Sequence, residues 1–562
     1  MVWRSISLFC QRVQQCVRLP GLLLLMIGLA ACTSQNAVPT AAWVSDLGNG
    51  NYQNPVLHAD YSDPDVIRVG DTYYMTASSF NSAPGLPLLT SKDMVNWELV
   101  GHVFQQQLPL DVHARPQHGG GVWAPSLRHH DGKFWIFYGD PDVGIYMYQA
   151  ENFFGPWSEP HLLLEGKGLI DPTPFWDEDG QAYVLHAWAA SRAGISNKLT
   201  LRRMSADGKT ILDDEAPVVV NGDLLPDYRA LEGPKFYKRN GYYTIFAPAG
   251  GVAPGWQSVF RAKDIYGPYE DRMVLEQGNT AVNGPHQGAW VQTPEGGDWF
   301  FHFQDKGVYG RIVHLQPMRW ENDWPVMGQN VNAQGLGEPV ETYRKPVQGF
   351  PVKVPATTDY FDNPQLGLQW QWNANWNPQW FSLSDNPGQL RLFSQYDELT
   401  TNTNNLWHTP SLLFQKIPAP EFSVTTQLSL NASASGDRAG LLVYGFHYAW
   451  LGLRKEGEKT QLVYATNHDA MSERRERVRV RMDLPTDNVY LRVEMRDEGK
   501  TRFSYSLDGK NFKTIGGLFR ASRGRWVGGK IGLFSLTDSA TQNAGYADFD
   551  DFIVAPVKDS IK

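Results

Sequence analysis

From Asp63 onward the chain alternates apolar and polar residues in short runs broken by glycine-containing turns, the period-2 pattern of half-buried strands. One unit returns five times: a polar or acidic residue, a short apolar run, a turn with glycine, then aromatics. It reads DPDVIRVGDTYYMTAS from Asp63, WAPSLRHHDGKFWIFYG from Trp123, DPTPFWDEDGQAYVLHA from Asp171, EGPKFYKRNGYYTIFAP from Glu232 and GPHQGAWVQTPEGGDWFFHF from Gly284. The Asp-Gly and Asn-Gly turns suit tight hairpins. Unit starts lie 48 to 61 residues apart, the length of a four-stranded blade, and no amphipathic helical stretch intervenes. The pattern predicts an all-β protein that opens with a five-bladed β-propeller over residues 51–345.

A proline-rich stretch without periodicity predicts a linker at 346–358. Beyond it, about ten further alternating segments, among them FSVTTQLSL, AWLGLRK and VYLRVEMR, predict a two-sheet, concanavalin-like β-sandwich over 359–562. The N-terminus has a different character. Arg4, Arg12 and Arg18 precede the apolar run Gly21 to Ala31, which is too short to span a bilayer. It ends in Leu29-Ala30-Ala31-Cys32, which resembles a bacterial lipobox. That resemblance implies a leader over 1–31, lipid on Cys32 and a polar tether over 32–50. Thr33 after the cysteine favours the outer membrane as the place of anchorage.

Composition narrows the chemistry. The chain has three cysteines, Cys10, Cys16 and Cys32. The predicted mature body therefore has no thiol free for a disulfide, a zinc–thiolate site or a cysteine nucleophile. Loss of the three leader arginines moves the net charge from −9 to about −12, which argues against a nucleic-acid partner. With 20 Trp, 24 Tyr and 27 Phe, the chain is rich in rings that stack on the C–H faces of sugars, although β-rich cores favour the same residues.

Three of the five units open with a carboxylate near a proline: Asp63-Pro64, Asp171-Pro172 and Glu232-Gly233-Pro234. Innermost propeller strands begin near the central axis, so acids at matched positions in three blades would converge there. Metal-free cleavage of a glycosidic bond needs one protonated acid for the leaving oxygen and one carboxylate for water or direct attack. An acid near a second negative charge stays protonated to higher pH. Asp60 and Asp65 flank Asp63 as weaker alternatives. Capping of turns is the plain structural role of any one such aspartate.

The ordered motifs Asp63-Pro64-Asp65, Trp123-Ala124-Pro125, Asp171-Pro172-Thr173-Pro174-Phe175 and Glu232-Gly233-Pro234 resemble glycoside hydrolase family 43. Its β-xylosidase and α-L-arabinofuranosidase members are the nearest match. The resemblance extends into the second domain through Arg438-Ala439-Gly440-Leu441, Ser506-Leu507-Asp508-Gly509 and Asp548-Phe549-Asp550. It implies an inverting exo-glycosidase that releases terminal β-D-xylosyl residues from plant-type pentose oligosaccharides. Asp63 would be the general base, Glu232 the general acid, and Asp171 the group that tunes and orients Glu232. Phe80, Trp123, His286 and Arg311 match substrate-contacting positions. Asn81-Ser82-Ala83 departs from the aromatic loop of the xylosidase group. The resemblance implies that no cofactor is required and leaves room for a structural Ca2+, with His286 placed to hold an axial ion through water. An α-L-arabinofuranosidase is the alternative within the class, and a catalytically silent, surface glycan-binding lipoprotein the alternative outside it.

Overall fold

The computed structural model describes residues 41–540 and 545–557. The leader, Cys32 and the first part of the expected tether lie outside the described residues. Five four-stranded antiparallel sheets form the blades, entered by the innermost strands Asp65–Val69, Trp123–His130, Leu169–Trp176, Lys235–Arg239 and His286–Gln292. Local chemistry explains the hairpins. In the second blade Asp131 (φ 47°) and Gly132 (φ 70°) are both left-handed, as a two-residue I′ turn demands, and Asn240 (φ 50°) with Gly241 (φ 72°) repeats this in the fourth. Blade faces meet through apolar side chains. Tyr73, Met75 and Leu89 of the first blade pack with Ala289, Phe301 and Val313 of the fifth. The ring is closed by backbone pairing of Asn51–Gln53 with Thr342–Arg344 and by a bridge from Leu57 to Val313.

The second domain stacks an eight-stranded sheet on a seven-stranded one. Strand Phe422–Asn431 alternates buried and part-exposed residues along its length, so Val424 and Leu428 pack beside Leu491 and Val493 of the paired strand and against Leu441 and Leu451 of the other sheet. Each such fully buried side chain contributes about 1.5–3 kcal/mol.

Propeller and sandwich fall in one compact unit. Val308, Tyr309 and Ile312 of the fifth blade are built into the sandwich core, and the Tyr309 hydroxyl donates to Pro420 O at 3.0 Å. The segment Asn81-Ser82-Ala83, unusual for the xylosidase group, serves this seam. Asn81 donates to Asn373 O (2.7 Å), Ser82 accepts from Lys530 (2.9 Å), and Ala83 pairs with Trp372. The expected tether is shorter than 32–50. Trp43 donates to Pro55 O at 3.0 Å, and buried Asp46 pairs with Lys345 at 2.5 Å, so from Ala41 on the chain belongs to the packed body.

Candidate active site

Each innermost strand is entered through one residue in the left-handed region: Asp63 (φ 54°), Ala124 (37°), Asp171 (55°), Gly233 (59°) and Gln287 (43°). Proline follows in the first four blades and Gly288 in the fifth. A left-handed residue ahead of proline is disfavoured, at about 1–3 kcal/mol each, so neighbouring contacts must hold it. This kink turns its own side chain, and that of the residue before it, into a pit on the propeller axis. The preceding residues are Ser62, Trp123, Ile170, Glu232 and His286. The expectation that all three acids occupy one matched position is therefore corrected. Asp63 and Asp171 occupy the left-handed position, whereas Glu232 stands one residue earlier, equivalent to Trp123 and His286. Glycine takes the left-handed position beside it, where a Cβ would lie 2.7 Å from the Gln287 side chain.

Both positions line one cavity of ≈ 310 Å³. It holds Asp63, Asp171 and Glu232 together with Phe80, Trp123, His286 and Arg311, so the seven residues given catalytic or substrate-contacting roles in the sequence meet here. Asp63 is buried and held on three sides. Ser62 and Ser78 hydroxyls each donate to its Oδ2 at 2.6 Å, and Arg311 Nη1 reaches its two oxygens at 3.3 and 3.4 Å. Ser62 in turn accepts from Arg311 (2.8 Å), and Ser78 from the Ala124 amide (2.8 Å). These donors solvate a negative charge away from bulk water.

Asp171 Oδ2 accepts the Gly233 N–H at 2.7 Å and so fixes the backbone beside Glu232. Burial first, and the charge of Asp63 second, raise the Asp171 carboxyl well above the usual aspartate range. Glu232, whose side chain keeps 26 % exposure toward the cavity, is raised above the glutamate range by burial and then by Asp171. His286 Nε2 stands 3.4 Å from Glu232 Oε1, and neither ring nitrogen has a hydrogen-bond partner in the protein. Burial, then Arg311 and His302, push its pKa down to about 3, so the ring is neutral, with both nitrogens buried behind Glu232.

The pit has a floor. One layer below, buried Lys235 donates to Pro125 O and Ser126 Oγ, both at 2.8 Å, and lies 3.6 Å from Asp65. Arg128 bridges Asp65 (2.8 Å) and Thr173 (2.7 Å). Asp65 is thus a structural anion beneath the site. Asp60 lies outside the cavity lining, at the seam between the domains. The rim includes a residue that sequence reasoning missed: Trp526 of the sandwich, its ring centroid 6.4 Å from that of Trp123. Gln287, Ser62, Ser78 and Lys235 were missed as well. Among the described residues, no group of three or more His, Cys, Asp or Glu is gathered to hold a metal ion. A blind pit that holds a half-buried, proton-retaining acid together with a donor-held carboxylate can protonate a leaving oxygen and deprotonate water within the same cavity.

Comparison with known proteins agrees with this arrangement. The profile of glycosyl hydrolases family 43 matches residues 52–325, and that of the beta xylosidase C-terminal concanavalin A-like domain matches residues 358–555. A putative beta-xylosidase of Xylanibacter ruminicola is 40% identical over 498 residues, covering 89% of this chain and 88% of its own. A non-reducing end alpha-L-arabinofuranosidase of Bacteroides ovatus is 28% identical, covering 94% of this chain and 98% of its own. The solved structure of a xylan beta-1,4-xylosidase from Bacillus halodurans superposes with TM-score 0.78 at 26% identity, covering 90% of this chain and 99% of that one. The five blades, the acid-lined pit and the sandwich that caps it are those of a glycoside hydrolase, and the chain belongs to family 43 of the glycosyl hydrolases.

Proposed function

We propose that the chain is an inverting exo-β-D-xylosidase acting on the non-reducing ends of xylan-type oligosaccharides. One observation carries the reading: Asp63, Asp171 and Glu232 share a single blind pit whose floor is the Asp65–Arg128–Lys235 cluster. A closed floor and a rim of Phe80, Trp123 and Trp526 suit the last ring of a chain better than its middle. Glu232 protonates the departing oxygen, and Asp63 takes a proton from the attacking water. Asp171 holds Glu232 through the Gly233 amide and keeps it protonated by like charge. Arg311 fixes Asp63, and His286 offers a neutral ring to sugar hydroxyls. The reaction needs no cofactor.

Purified enzyme should release xylose from nitrophenyl β-D-xyloside and from xylobiose, and NMR should show the α-anomer first. First appearance of the β-anomer defeats the inverting assignment. Faster release from nitrophenyl α-L-arabinofuranoside moves the reading to the arabinofuranosidase. Release from neither aryl glycoside nor oligosaccharide leaves the silent glycan binder. The proposal also places the enzyme at the cell envelope through lipid on Cys32, so Cys32→Ala should move activity from the membrane to the soluble fraction.

The tuning role of Asp171 has its own test. A general acid works protonated, so activity falls as pH rises through its pKa. Removal of a neighbouring negative charge lowers that pKa. Asp171→Asn should therefore move the basic limb of the kcat/KM profile to lower pH. A limb that stays in place removes this role from Asp171.

A further inference from the structure

One buried carboxylate outside the pit touches both halves of the site's support. Asp60 is 8% exposed, and its Oδ1 accepts the backbone N–H of Arg311 at 2.9 Å while its Oδ2 accepts the backbone N–H of Gly528 at 2.8 Å. Arg311 belongs to the propeller and holds Asp63. Gly528 belongs to the sandwich and lies two residues beyond Trp526, which is left-handed (φ 64°) and 45% exposed on the pit's rim. The two backbones meet directly: a Cβ on Gly528 would lie 2.7 Å from Gly310 N. Gly529 N–H donates to Val308 O at 2.7 Å on the same seam. The side chains of Lys416 and Lys530 lie close enough to interact with the Asp60 charge.

We infer that Asp60 is a positioning residue that sets the general base's arginine and the sandwich's rim tryptophan in register with each other. A purely packing role would need only shape at this point. Two amide donors converging on one carboxylate, one from each domain, instead tie the rim to the base. An asparagine there keeps the shape but offers one oxygen and one NH2, so one of the two amides faces a donor. The consequence reaches both kinetic constants: a shift of Arg311 weakens the hold on Asp63 and lowers kcat, and a shift of Trp526 loosens the rim and raises KM.

The inference rests on the catalytic reading above, and the test separates them. Wild type, Asp60→Asn, Trp526→Ala and the double variant are compared on xylobiose, with Tm measured for each. Asp60→Asn should lower kcat/KM by about 10- to 100-fold through both constants, since displacements on the order of 1 Å have effects of that size. In the double variant KM should be no higher than in Trp526→Ala, because the rim residue that Asp60 positions is already gone. KM increases that multiply, or a kcat of Asp60→Asn equal to wild type, overturn the inference while the active wild type preserves the catalytic reading. A wild type that releases no xylose defeats that reading itself. Should Asp60→Asn fail to fold, Asp60→Ser, smaller and able to keep one acceptor contact, carries the same expectation.

Discussion

Glu232→Ala should hydrolyse xylobiose about 10²- to 10⁴-fold more slowly than the parent enzyme, and lose far less on nitrophenyl β-D-xyloside. The difference follows from the leaving group. A departing sugar hydroxyl is a poor leaving group and needs a proton as the bond breaks. A nitrophenolate leaves without one. The raised pKa of Glu232, caused by burial and then by Asp171, keeps that proton available at neutral pH. Because this proton controls the basic limb, the residual activity of the variant on the aryl substrate should no longer fall as Glu232 would have titrated. Equal losses on the two substrates would remove Glu232 from the acid's role.

Fold and site were legible in the sequence to different depths. Hairpin turns such as Asp131-Gly132 and Asn240-Gly241 require left-handed residues and announce them in their composition, so the blades and their count could be read directly. The convergence of Asp63, Asp171 and Glu232 follows from blade repetition. Their relative register is not legible from the acids alone, because the backbone aligns the blades on the left-handed residue before proline. Glu232-Gly233-Pro234, one residue longer than Asp171-Pro172, already contained that offset. Gln287 was hidden for the same reason: it fills the left-handed position ahead of Gly288, where no proline marks it. The cross-domain roles of Asp60 and Trp526 left no local mark. Each depends on a partner in the other domain, 468 residues away for the Asp60–Gly528 bond, and neither period nor turn chemistry encodes a contact of that kind.

The base gives the second large effect, with the opposite substrate pattern. Asp63→Asn preserves the volume of a side chain held by Ser62, Ser78 and Arg311 but cannot take a proton from water. Water must be activated whichever group leaves, so xylobiose and the aryl xyloside should fall together, by about 10⁴-fold, at the upper end for general base catalysis. KM should change little, since the sugar still meets Phe80, Trp123 and His286. The lost charge also reaches the other two acids. Asp63 is among the causes that raise both Asp171 and Glu232, so its removal lowers their pKa values. Residual activity should then decline at lower pH than in the parent, because the acid loses its proton earlier. Scanning kcat against pH for both substrates tests the pair of effects at once. A variant that keeps full activity on the aryl xyloside would show that Asp63 serves the leaving group and not the water, and the roles of Asp63 and Glu232 would have to be exchanged.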